Sequence, residues 1–568
     1  MINTVGVIGL GTMGAGIVEV FAKAGLSVIA VDGSAELAER GKGFLTKSLG
    51  RAVSKGKLSE SERDEIVGRV AFGDDLAAMK DADLVIEAVP ELLEIKTSIF
   101  TTLDDIVRDD CVLATNTSSL SITEIAKSTK EPSRVIGMHF FNPAPVLPLV
   151  EVIHSLLTDV KLVEDVRELA VRLGKKPVVV GDRAGFVANA LLIAYLARSI
   201  RAYETGLASR EDLDAAMAAG VGFPMGPLTL CDLIGLDVVH EVCGVLYDAT
   251  HDPSVASPPL LRQMVAAGYL GRKSGKGFYT YEAAGSGTLV ADERTPGESK
   301  AHSGRVGLVG EGELVDSLAE EMSSAGLELV RVTAADEASA LEGVTFVFAV
   351  DGGVEDDGCC GGSCACGDEC SCGHVEGDVS EHALQIEEKP LMRAVRDAIG
   401  DGGVIATLGE GAASEAATGE PSLDARVVPV VLREKQRAGQ VLEIGRSVAI
   451  ADDAVEAVRS FAAAAGWTPV VGKDRAGLVV DALLYPHLND AVKMLDSGYA
   501  SVEDIDTAMK AGCGYPQGLF ELLDEAGPDD VHGVLAEMYF ETGEQHRGCG
   551  GQVVVGGRES VTGYTRGE

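Results

Sequence analysis

Residues 4–32 read TVGVIGLGTMGAGIVEVFAKAGLSVIAVD, and this stretch decides the fold of the first part of the chain. The apolar run from Val5 to Ile8 predicts a strand, the residues after the glycines have helical spacing, and a second apolar run ends at Asp32. A strand, a helix and a second strand within roughly 30 residues are typical of a βαβ unit with parallel strands. We therefore predict an α/β fold.

Three glycines, Gly9, Gly11 and Gly14, follow the first strand directly. The first two let the chain turn tightly and let its backbone approach a pyrophosphate, and the following helix offers free N–H groups to that phosphate. Asp32, 18 residues after Gly14, can bind both ribose hydroxyls and would repel a 2′-phosphate. The loop predicts NAD rather than NADP as cofactor; the alternative is a structural turn followed by a surface aspartate.

Short β-branched runs such as ADLVIEAV and KPVVVG alternate with helical stretches up to about residue 185. This alternation predicts a parallel sheet covered by helices on both faces. From about Phe186 the chain becomes mostly helical, with apolar spacing near 3.6 residues and glycines at the helix ends. The predicted fold class is α/β, a Rossmann-type doubly wound sheet plus an all-α C-terminal domain.

The chain contains two copies of this pattern. GDRAGFVANALL at 181 returns as KDRAGLVVDALL at 473, with a spacing of 292 residues between Asp182 and Asp474. We call residues 1–282 the N-terminal half and residues 305–568 the C-terminal half. The predicted tandem arrangement is a Rossmann-type domain at 1–185, a helical domain at 186–282, a Gly/Ser/Glu-rich linker at 283–304, a degenerate Rossmann-like domain at 305–477 with a Cys-rich insert at 351–385, and a second helical domain with a tail at 478–568.

The C-terminal half departs from the cofactor pattern. Gly310 and Gly312 remain, but Val315 stands where the third glycine is expected and Thr333 takes the place of Asp32. We predict that this half binds no dinucleotide or binds it poorly.

The composition excludes some classes of partner. The 568 residues carry a formal net charge of −40, with a pI near 4.6, and such a surface repels nucleic acid and anionic membranes. The N-terminal residues MINTVGVIGLG lack the features of a secretory signal, and no apolar run is long enough to span a bilayer. We expect a soluble cytoplasmic protein.

Six of the 11 cysteines crowd into residues 359–372. These thiols, with His374, could bind a soft metal or respond to redox state. Their spacing does not match the paired CxxC pattern of structural zinc sites, and a flexible low-complexity surface loop is the favoured interpretation. We predict no metal cofactor.

One segment is basic within this acidic chain. Six cationic side chains lie within 18 residues: Arg40, Lys42, Lys47, Arg51, Lys55 and Lys57. On a helix, Lys47, Arg51, Lys55 and Ser48 share one side. A solvated helix face is the simple interpretation, but the cluster suits a substrate with several phosphates, such as a CoA thioester.

The segment RVIGMHFFNPAPVLPLVEV at 134–152 places His139 within an apolar run, with Glu151 at the end of the next one. A lone histidine in such a run is often a satisfied core residue. Histidine also titrates near neutrality, and a carboxylate partner orients it as a general base. Glu151 is the candidate partner.

Together these motifs resemble the short-chain L-3-hydroxyacyl-CoA dehydrogenase family, of the 3-hydroxybutyryl-CoA dehydrogenase type. The motifs that carry the resemblance are GLGTMGAGI at 9, NTSSL at 116, HFFNP at 139, DRAGFVAN at 182, GFPMGP at 222 and GRKSGKGFYTY at 271. The resemblance covers residues 1–282 and, in degraded form, the C-terminal half. It implies NAD-dependent, reversible oxidation of (3S)-3-hydroxyacyl-CoA to 3-oxoacyl-CoA.

The resemblance also implies roles for individual residues. His139 would take the proton of the 3-hydroxyl group and Glu151 would stabilise the protonated ring. Asn142 and Ser118 would contact substrate and cofactor, and Asn189 would contact the reacting end of the acyl group.

Binding residues follow from the same resemblance. Ser48 and Lys55 would contact CoA, while Glu91, Lys96 and Lys273 match positions that contact NAD. Without the resemblance, Glu91 and Lys96 would be interpreted as an ordinary exposed helix pair.

Some positions depart from the family pattern. Ala184 replaces a usual proline, Ala190 an arginine and Pro148 a lysine, and these departures affect the shape of the loop and the fit of the acyl chain. In the C-terminal half Val431 stands at the histidine position and Glu434 at that of Asn142, so we predict a catalytically silent half.

Three readings compete from sequence. The alternatives to the hydroxyacyl-CoA dehydrogenase are a β-hydroxyacid dehydrogenase, which shares the GLGxMG start, and a non-catalytic dinucleotide-binding protein. For assembly, the sequence is compatible with a homodimer or with an intramolecular pseudo-dimer in which the second helical domain replaces a partner subunit.

Overall fold

The computed structural model describes residues 2–295, 297, 302–350, 390–408, 425–436 and 439–543. Eight strands form one sheet in the N-terminal half: β1 (Thr4–Ile8), β2 (Ser27–Val31), β3 (Val70–Gly73), β4 (Leu84–Glu87), β5 (Val112–Thr115), β6 (Val135–Phe140), β7 (Leu149–His154) and β8 (Lys176–Gly181). Their spatial order is β3–β2–β1–β4–β5–β6–β7–β8. The order reverses between β1 and β4, and such a reversal opens a crevice at the carboxyl ends of the strands.

The strands are parallel except at one hairpin, where β6 and β7 run antiparallel and place His139 directly opposite Glu151. The parallel sheet predicted from the sequence is therefore confirmed in its α/β class, with one antiparallel strand added. All six residues of β6 are buried, which explains its continuous apolar pattern. Helices cover both faces: α1 (Thr12–Lys23), α2 (Ala35–Ser54), α3 (Glu60–Gly68), α4 (Leu93–Ile106), α5 (Ile122–Ala126) and α6 (Val160–Arg172).

A helical region follows the first sheet. Its helices are α7 (Ala188–Glu204), α8 (Arg210–Ala215), which continues as a π-helical turn at Ala216–Gly220, α9 (Pro227–Ile234), α10 (Leu236–Thr250) and α11 (Pro259–Ala266). The boundary predicted at residue 185 falls between β8 and α7.

The segment predicted as a linker is anchored at its start. A short hairpin joins β9 (Thr280–Tyr281) to β10 (Leu289–Val290), and Asp292 accepts a hydrogen bond from the buried Arg210 at 2.6 Å. The hydrogen bonds from Arg210 hold the pKa of Asp292 well below its usual range. The glycine-rich composition did not reveal this ion pair, because Arg210 and Asp292 lie 82 residues apart in the chain.

The described part of the C-terminal half forms a second sheet from β11 (Arg305–Val309), β12 (Glu328–Val332), β13 (Phe346–Val350), β14 (Val404–Leu408), β15 (Val427–Gln436), β16 (Gly439–Arg446) and β17 (Thr468–Lys473). Their spatial order is β12–β11–β13–β14–β15–β16–β17. Among the described strands of this sheet, the β15–β16 pair alone is antiparallel, at the same place in the order as β6–β7. The helices are α12 (Glu313–Ser324), α13 (Pro390–Ile399), α14 (Asp452–Ala464), α15 (Val480–Asp496), α16 (Val502–Cys513), α17 (Leu519–Ala526) and α18 (Pro528–Thr542).

The two helical regions pack against each other through residues with equivalent positions. Three contacts join residues that are 292 positions apart: Tyr195 with His487, Arg198 with Asp490, and Phe223 with Tyr515. In a two-fold interface, residues on the axis meet their own counterparts. Helices α7 and α15 therefore lie about an approximate two-fold axis.

The largest hydrophobic core is shared by both halves and includes Leu196 of α7 and Leu488 of α15. Separate cores fill the outer faces of the two sheets. Among the described residues, no helix combines the length and apolar character that crossing a bilayer requires.

Candidate active site

The glycine loop after β1 has the shape that a dinucleotide requires. A β-carbon on Gly9 would lie 2.7 Å from the carbonyl oxygen of Ala88, and one on Gly14 only 1.7 Å from that of Gly9, so both positions require glycine for packing. A β-carbon on Gly11 would contact no described atom within 4 Å. Gly11 begins α1 without a side-chain cap, which leaves the helix N-terminus free to bind a pyrophosphate. The loop therefore fits NAD.

Asp32 follows β2 and is half-buried. It accepts hydrogen bonds from the backbone N–H groups of Leu10, at 2.8 Å, and Gly33, at 2.7 Å. These bonds hold the carboxylate beside the glycine loop, where its charge disfavours a 2′-phosphate.

Glu91 and Lys96 differ from the exposed helix pair that the sequence alone predicts. Lys96 is fully buried and contacts Glu87 at 2.8 Å and Glu91 at 3.2 Å. Glu91 precedes α4 and accepts hydrogen bonds from the backbone of Ser118, at 2.8 Å, and from Thr117. Burial alone would raise the pKa of Glu91, but the charge of Lys96 and these hydrogen bonds lower it below its usual value. Glu91 thus fixes the loop that carries Ser118.

The candidate base lies in the antiparallel hairpin. Nδ1 of His139 is 2.7 Å from Oε2 of Glu151, and both side chains are buried. Oε1 of Glu151 accepts the backbone N–H groups of Val187 and Ala188 at 3.0 Å each. These groups begin α7, whose first residue has no side-chain cap of its own, so Glu151 caps the helix and orients His139 at once. Nε2 is the ring nitrogen left to accept a substrate proton.

Aromatic rings surround the imidazole. The ring centroids of Phe141 and Phe186 lie 4.5 and 5.7 Å from that of His139. Asn142 follows as an exposed residue before a cis proline bond, and Asn189 lies half-buried in the first turn of α7. Two aromatic rings therefore lie against the imidazole, and Asn189 adjoins Ala188, whose backbone N–H binds Glu151.

The basic segment forms α2 and the residues after it, as its spacing predicts. Ser48 is half-buried, and Lys55, which ends the helix, is exposed. Lys42 pairs with Glu39 at 3.5 Å, so part of the cluster is neutralised locally. Lys273 lies elsewhere, in the helical region, where it forms an ion pair with Asp237 at the start of α10. The described contacts of Lys273 do not join it to the glycine loop.

Sequence reasoning missed two residues that organise the site. Glu87, the last residue of β4, is fully buried between Lys96 and Thr115. Asn116 accepts the backbone N–H of Phe140 at 2.8 Å and so joins the ends of β5 and β6. Both stand at carboxyl ends of parallel strands, and this position is the signal that could have indicated them.

The C-terminal half keeps the acid but not the base. Glu443 lies opposite Val431, and its Oε1 accepts the N–H groups of Val479 and Val480 at 2.9 Å each, as Glu151 does for α7. Its Oε2 accepts a hydrogen bond from Arg433, at the position equivalent to Phe141.

Arg433 also donates to Asp481 at 2.8 Å, at the position equivalent to Asn189. Burial raises the pKa of Asp481 to about 6 despite the nearby guanidinium. Arg433, Glu443 and Asp481 thus form a closed ion-pair cluster, called the Arg433 cluster, at the position that corresponds to the His139 site.

The loop after β11 also lacks the open phosphate-binding space that the glycine loop has at Gly11. Val315 is fully buried at the position of the third glycine, and α12 carries Glu313 and Asp316 in its first turn. Negative charge at a helix N-terminus repels a phosphate that would bind there.

The cysteine insert at 351–385 lies outside the described residues, and no prediction about it is tested. Within the described ranges, no group of three or more His, Cys, Asp or Glu side chains has a metal-binding arrangement.

Comparison with known proteins identifies similar chains. The family model for the NAD binding domain of 3-hydroxyacyl-CoA dehydrogenase matches residues 4–183, and that for its C-terminal domain matches 185–281 and 477–555. The chain is 49% identical over 282 residues to 3-hydroxybutyryl-CoA dehydrogenase of Mycobacterium tuberculosis, across 49% of this chain and 99% of that protein.

Other relatives extend over both halves. The chain is 32% identical over 550 residues to 3-hydroxyadipyl-CoA dehydrogenase of Escherichia coli, across 96% of each. A crystal structure of 3-hydroxybutyryl-CoA dehydrogenase from Escherichia coli is 30% identical, covers 96% of each chain and has a TM-score of 0.70.

Proposed function

This chain belongs to the 3-hydroxyacyl-CoA dehydrogenase family and is an NAD-dependent dehydrogenase, and on that premise we propose that it reversibly oxidises (3S)-3-hydroxyacyl-CoA, such as 3-hydroxybutyryl-CoA, to the 3-oxoacyl-CoA. The observation that carries the proposal is the 2.7 Å contact of His139 with Glu151 in a buried hairpin at the helical boundary. Family membership favours this reaction over that of a β-hydroxyacid dehydrogenase or a non-catalytic binding protein.

In the proposed mechanism, Nε2 of His139 accepts the proton of the 3-hydroxyl group. Glu151 keeps Nδ1 protonated and stabilises the imidazolium, and its own negative charge is stabilised by the N-terminus of α7. NAD⁺, when bound, supplies the hydride acceptor. Phe141 and Phe186 exclude water from the imidazole, which strengthens its interaction with Glu151.

The remaining predicted site residues bind and orient. We assign Ser48 and Lys55 to the CoA moiety, Ser118 and Asn142 to substrate and cofactor, and Asn189 to the acyl end. This assignment is supported for Ser118 by its fixed loop and for Asn189 by its place in the first turn of α7.

The cofactor contacts fall into two groups. Gly9, Gly11, Gly14 and Asp32 would form the binding loop, and the open space at Gly11 would be available to the pyrophosphate. Glu91 and Lys273 would contact the cofactor directly. Lys96 is fully buried, so we propose that it acts by fixing Glu91.

An assay of NADH consumption with acetoacetyl-CoA tests the reaction. Replacing His139 with alanine should lower kcat by about 10²–10⁴-fold, since general-base catalysis contributes roughly that much. His154→Ala, at the end of the same hairpin, is the matched control and should leave kcat unchanged. Turnover that survives His139→Ala would refute the assigned base.

A second acyl class is suggested by one relative and one cavity. The full-length Escherichia coli relative is named for a 3-hydroxyadipyl substrate, which carries a terminal carboxylate. A cavity of about 620 Å³ beside Phe186 is lined by Ala184, Ala190 and Arg183. We propose that the chain prefers dicarboxylic acyl-CoA esters, and a comparison with 3-hydroxybutyryl-CoA as substrate tests this preference. A kcat/KM for the dicarboxylic ester equal to or lower than that for 3-hydroxybutyryl-CoA would exclude it.

We further propose that the five segments predicted from sequence are the domains of a tandem protein, and that its C-terminal half is catalytically silent. The Arg433 cluster and Val315 support this proposal. The contacts between α7 and α15 support an intramolecular pseudo-dimer, in which the second helical domain stands in for a partner subunit.

Truncation near residue 285 tests the pseudo-dimer. Removing the C-terminal half exposes the shared core around Leu196, so we expect the truncated chain to aggregate or to dimerise, as measured by light scattering. A monomeric, stable and fully active truncated chain would contradict the pseudo-dimer.

A further inference from the structure

The C-terminal half reaches the hairpin of the candidate active site. Helix α16 packs against β7 and β8 of the N-terminal sheet. The hydroxyl group of Tyr499, just before α16, donates a hydrogen bond to the carbonyl oxygen of Gly181 at 2.8 Å. The end of α16, at Gly512 and Cys513, therefore lies against the strand that carries Glu151.

Gly512 permits an unusually close approach at this contact. A β-carbon on Gly512 would lie 2.5 Å from Cδ2 of Leu149 and 3.5 Å from Cε1 of Phe141. Leu149 is fully buried, two residues before Glu151, and so has little room to move. Any side chain at position 512 would therefore press on the hairpin.

Phe141 lies next to both Gly512 and the candidate base. Its ring centroid is 4.5 Å from that of His139, two positions earlier in the chain. Burial raises the pKa of the neighbouring Cys513 thiol to about 12, and the charge of Glu151 adds to this shift. Gly512 thus lies against Phe141 and against β7, the strand that carries Glu151.

We infer that Gly512, in the C-terminal half, is a positioning residue of the active site in the N-terminal half, because a side chain there would displace Leu149 of the hairpin and so shift Glu151 and Phe141, which contact His139. The inference rests on the proposed role of His139 as base. It gives the silent half a function in catalysis besides its packing role.

The equivalent glycine provides a matched control. Gly220 ends the π-helical turn of the N-terminal half and faces the second sheet, where a β-carbon would lie 3.1 Å from Cγ2 of Val480 and 3.7 Å from Cγ2 of Val441. It therefore makes the corresponding contact at the Arg433 cluster, away from His139. A substitution there perturbs the interface without pressing on the active site.

The test compares Gly512→Val with Gly220→Val in the full chain. We expect Gly512→Val to lower kcat by about 10–100-fold, since small displacements of a catalytic group have effects of that size, with KM for acetoacetyl-CoA within about twofold of the parent. Gly220→Val should keep kcat within about twofold while losing comparable thermal stability. Adding Leu149→Ala to Gly512→Val should restore part of kcat, because it removes the clashing methyl groups.

Gly512→Ala decides the question if the valine variant does not fold. Alanine is the better helix former, so the helix itself would not be weakened, and a loss of kcat would come from the contact with Leu149. Parental kcat in the folded Gly512 variants, or an equal loss in Gly220→Val, would overturn the inference. If His139→Ala also retained turnover, the proposed reaction mechanism itself would fail; if only Gly512 proved neutral, the mechanism would stand.

Discussion

Glu151 and Glu443 show that one side chain can have two separable roles. Each accepts two backbone N–H groups at the start of a helix, and each is fully buried. Only Glu151 has a histidine on its second oxygen, whereas Glu443 has Arg433 there. Capping the helix gives Glu443 a role in a half that has Val431 instead of a histidine opposite it.

The two acids should respond differently to the same substitution. Glu151→Gln keeps an oxygen for the helix cap but removes the charge that stabilises the imidazolium, so we expect kcat to fall by roughly 10²-fold or more. Glu443→Gln weakens the Arg433 cluster and should lower the free energy of unfolding by about 1–3 kcal/mol, with kcat unchanged. Steady-state kinetics and denaturant unfolding measure the two effects. Loss of activity in Glu443→Gln would contradict the separation of roles.

At the scale of elements, the glycine loops of the two halves distinguish packing from ligand binding. Gly9 and Gly14 are required by the protein itself, whereas the space above Gly11 is open. The loop after β11 keeps the turn but fills the third position with Val315 and adds acids to α12. A strand–loop–helix element can thus keep its shape without keeping the open space that binds a phosphate.

Gly11→Ala should separate these roles by experiment. The backbone of Gly11 is in a conformation that alanine adopts, and no described atom opposes a β-carbon, so we expect the thermal midpoint to be nearly unchanged. The methyl group would occupy the space of the pyrophosphate and raise KM for NAD by about tenfold or more, equivalent to ~1.4 kcal/mol. Gly244→Ala, in α10 with equal open space, is the control and should leave KM unchanged. A KM for NAD equal to that of the parent in Gly11→Ala would refute the assignment of this space to the pyrophosphate.

At the scale of the whole molecule, the approximate two-fold axis joins unlike residues. A symmetric dimer would place identical side chains opposite each other on the axis. Here Arg198 meets Asp490, and two further nitrogens of Arg198 are buried with no hydrogen-bond partner among the described residues. Charge complementarity of this kind is available only when the two sides have different sequences.

Breaking this pair should destabilise the whole chain. Asp490→Ala leaves the buried Arg198 unpaired, so we expect a loss of about 3–5 kcal/mol in the free energy of unfolding. Replacing both residues with leucine should recover much of that loss, because no buried charge remains. Urea unfolding of the single and double variants measures the coupling. Equal stability of the parent and Asp490→Ala would show that the pair does not hold the halves together.

Sequence reasoning was most successful where the signal is local. The spacing of Gly9, Gly11 and Gly14 and the acid at Asp32 predicted the α/β fold and the NAD cofactor, both now confirmed. It was wrong about the exposure of Lys96, because the ammonium group is buried against Glu87 at the end of β4, and the local sequence does not show that contact. It also missed the ion pair that anchors the start of the predicted linker.

By itself, the sequence determined the class of fold and the cofactor, because periodicity and turn glycines act over a few neighbouring residues, and its motifs carried the resemblance to the family. Only the tertiary structure decided that His139 faces Glu151 across an antiparallel hairpin and that Glu151 caps α7. It alone placed Gly512 of the C-terminal half behind Phe141. These arrangements depend on register and packing between segments far apart in the chain, and no local pattern encodes the distance between them.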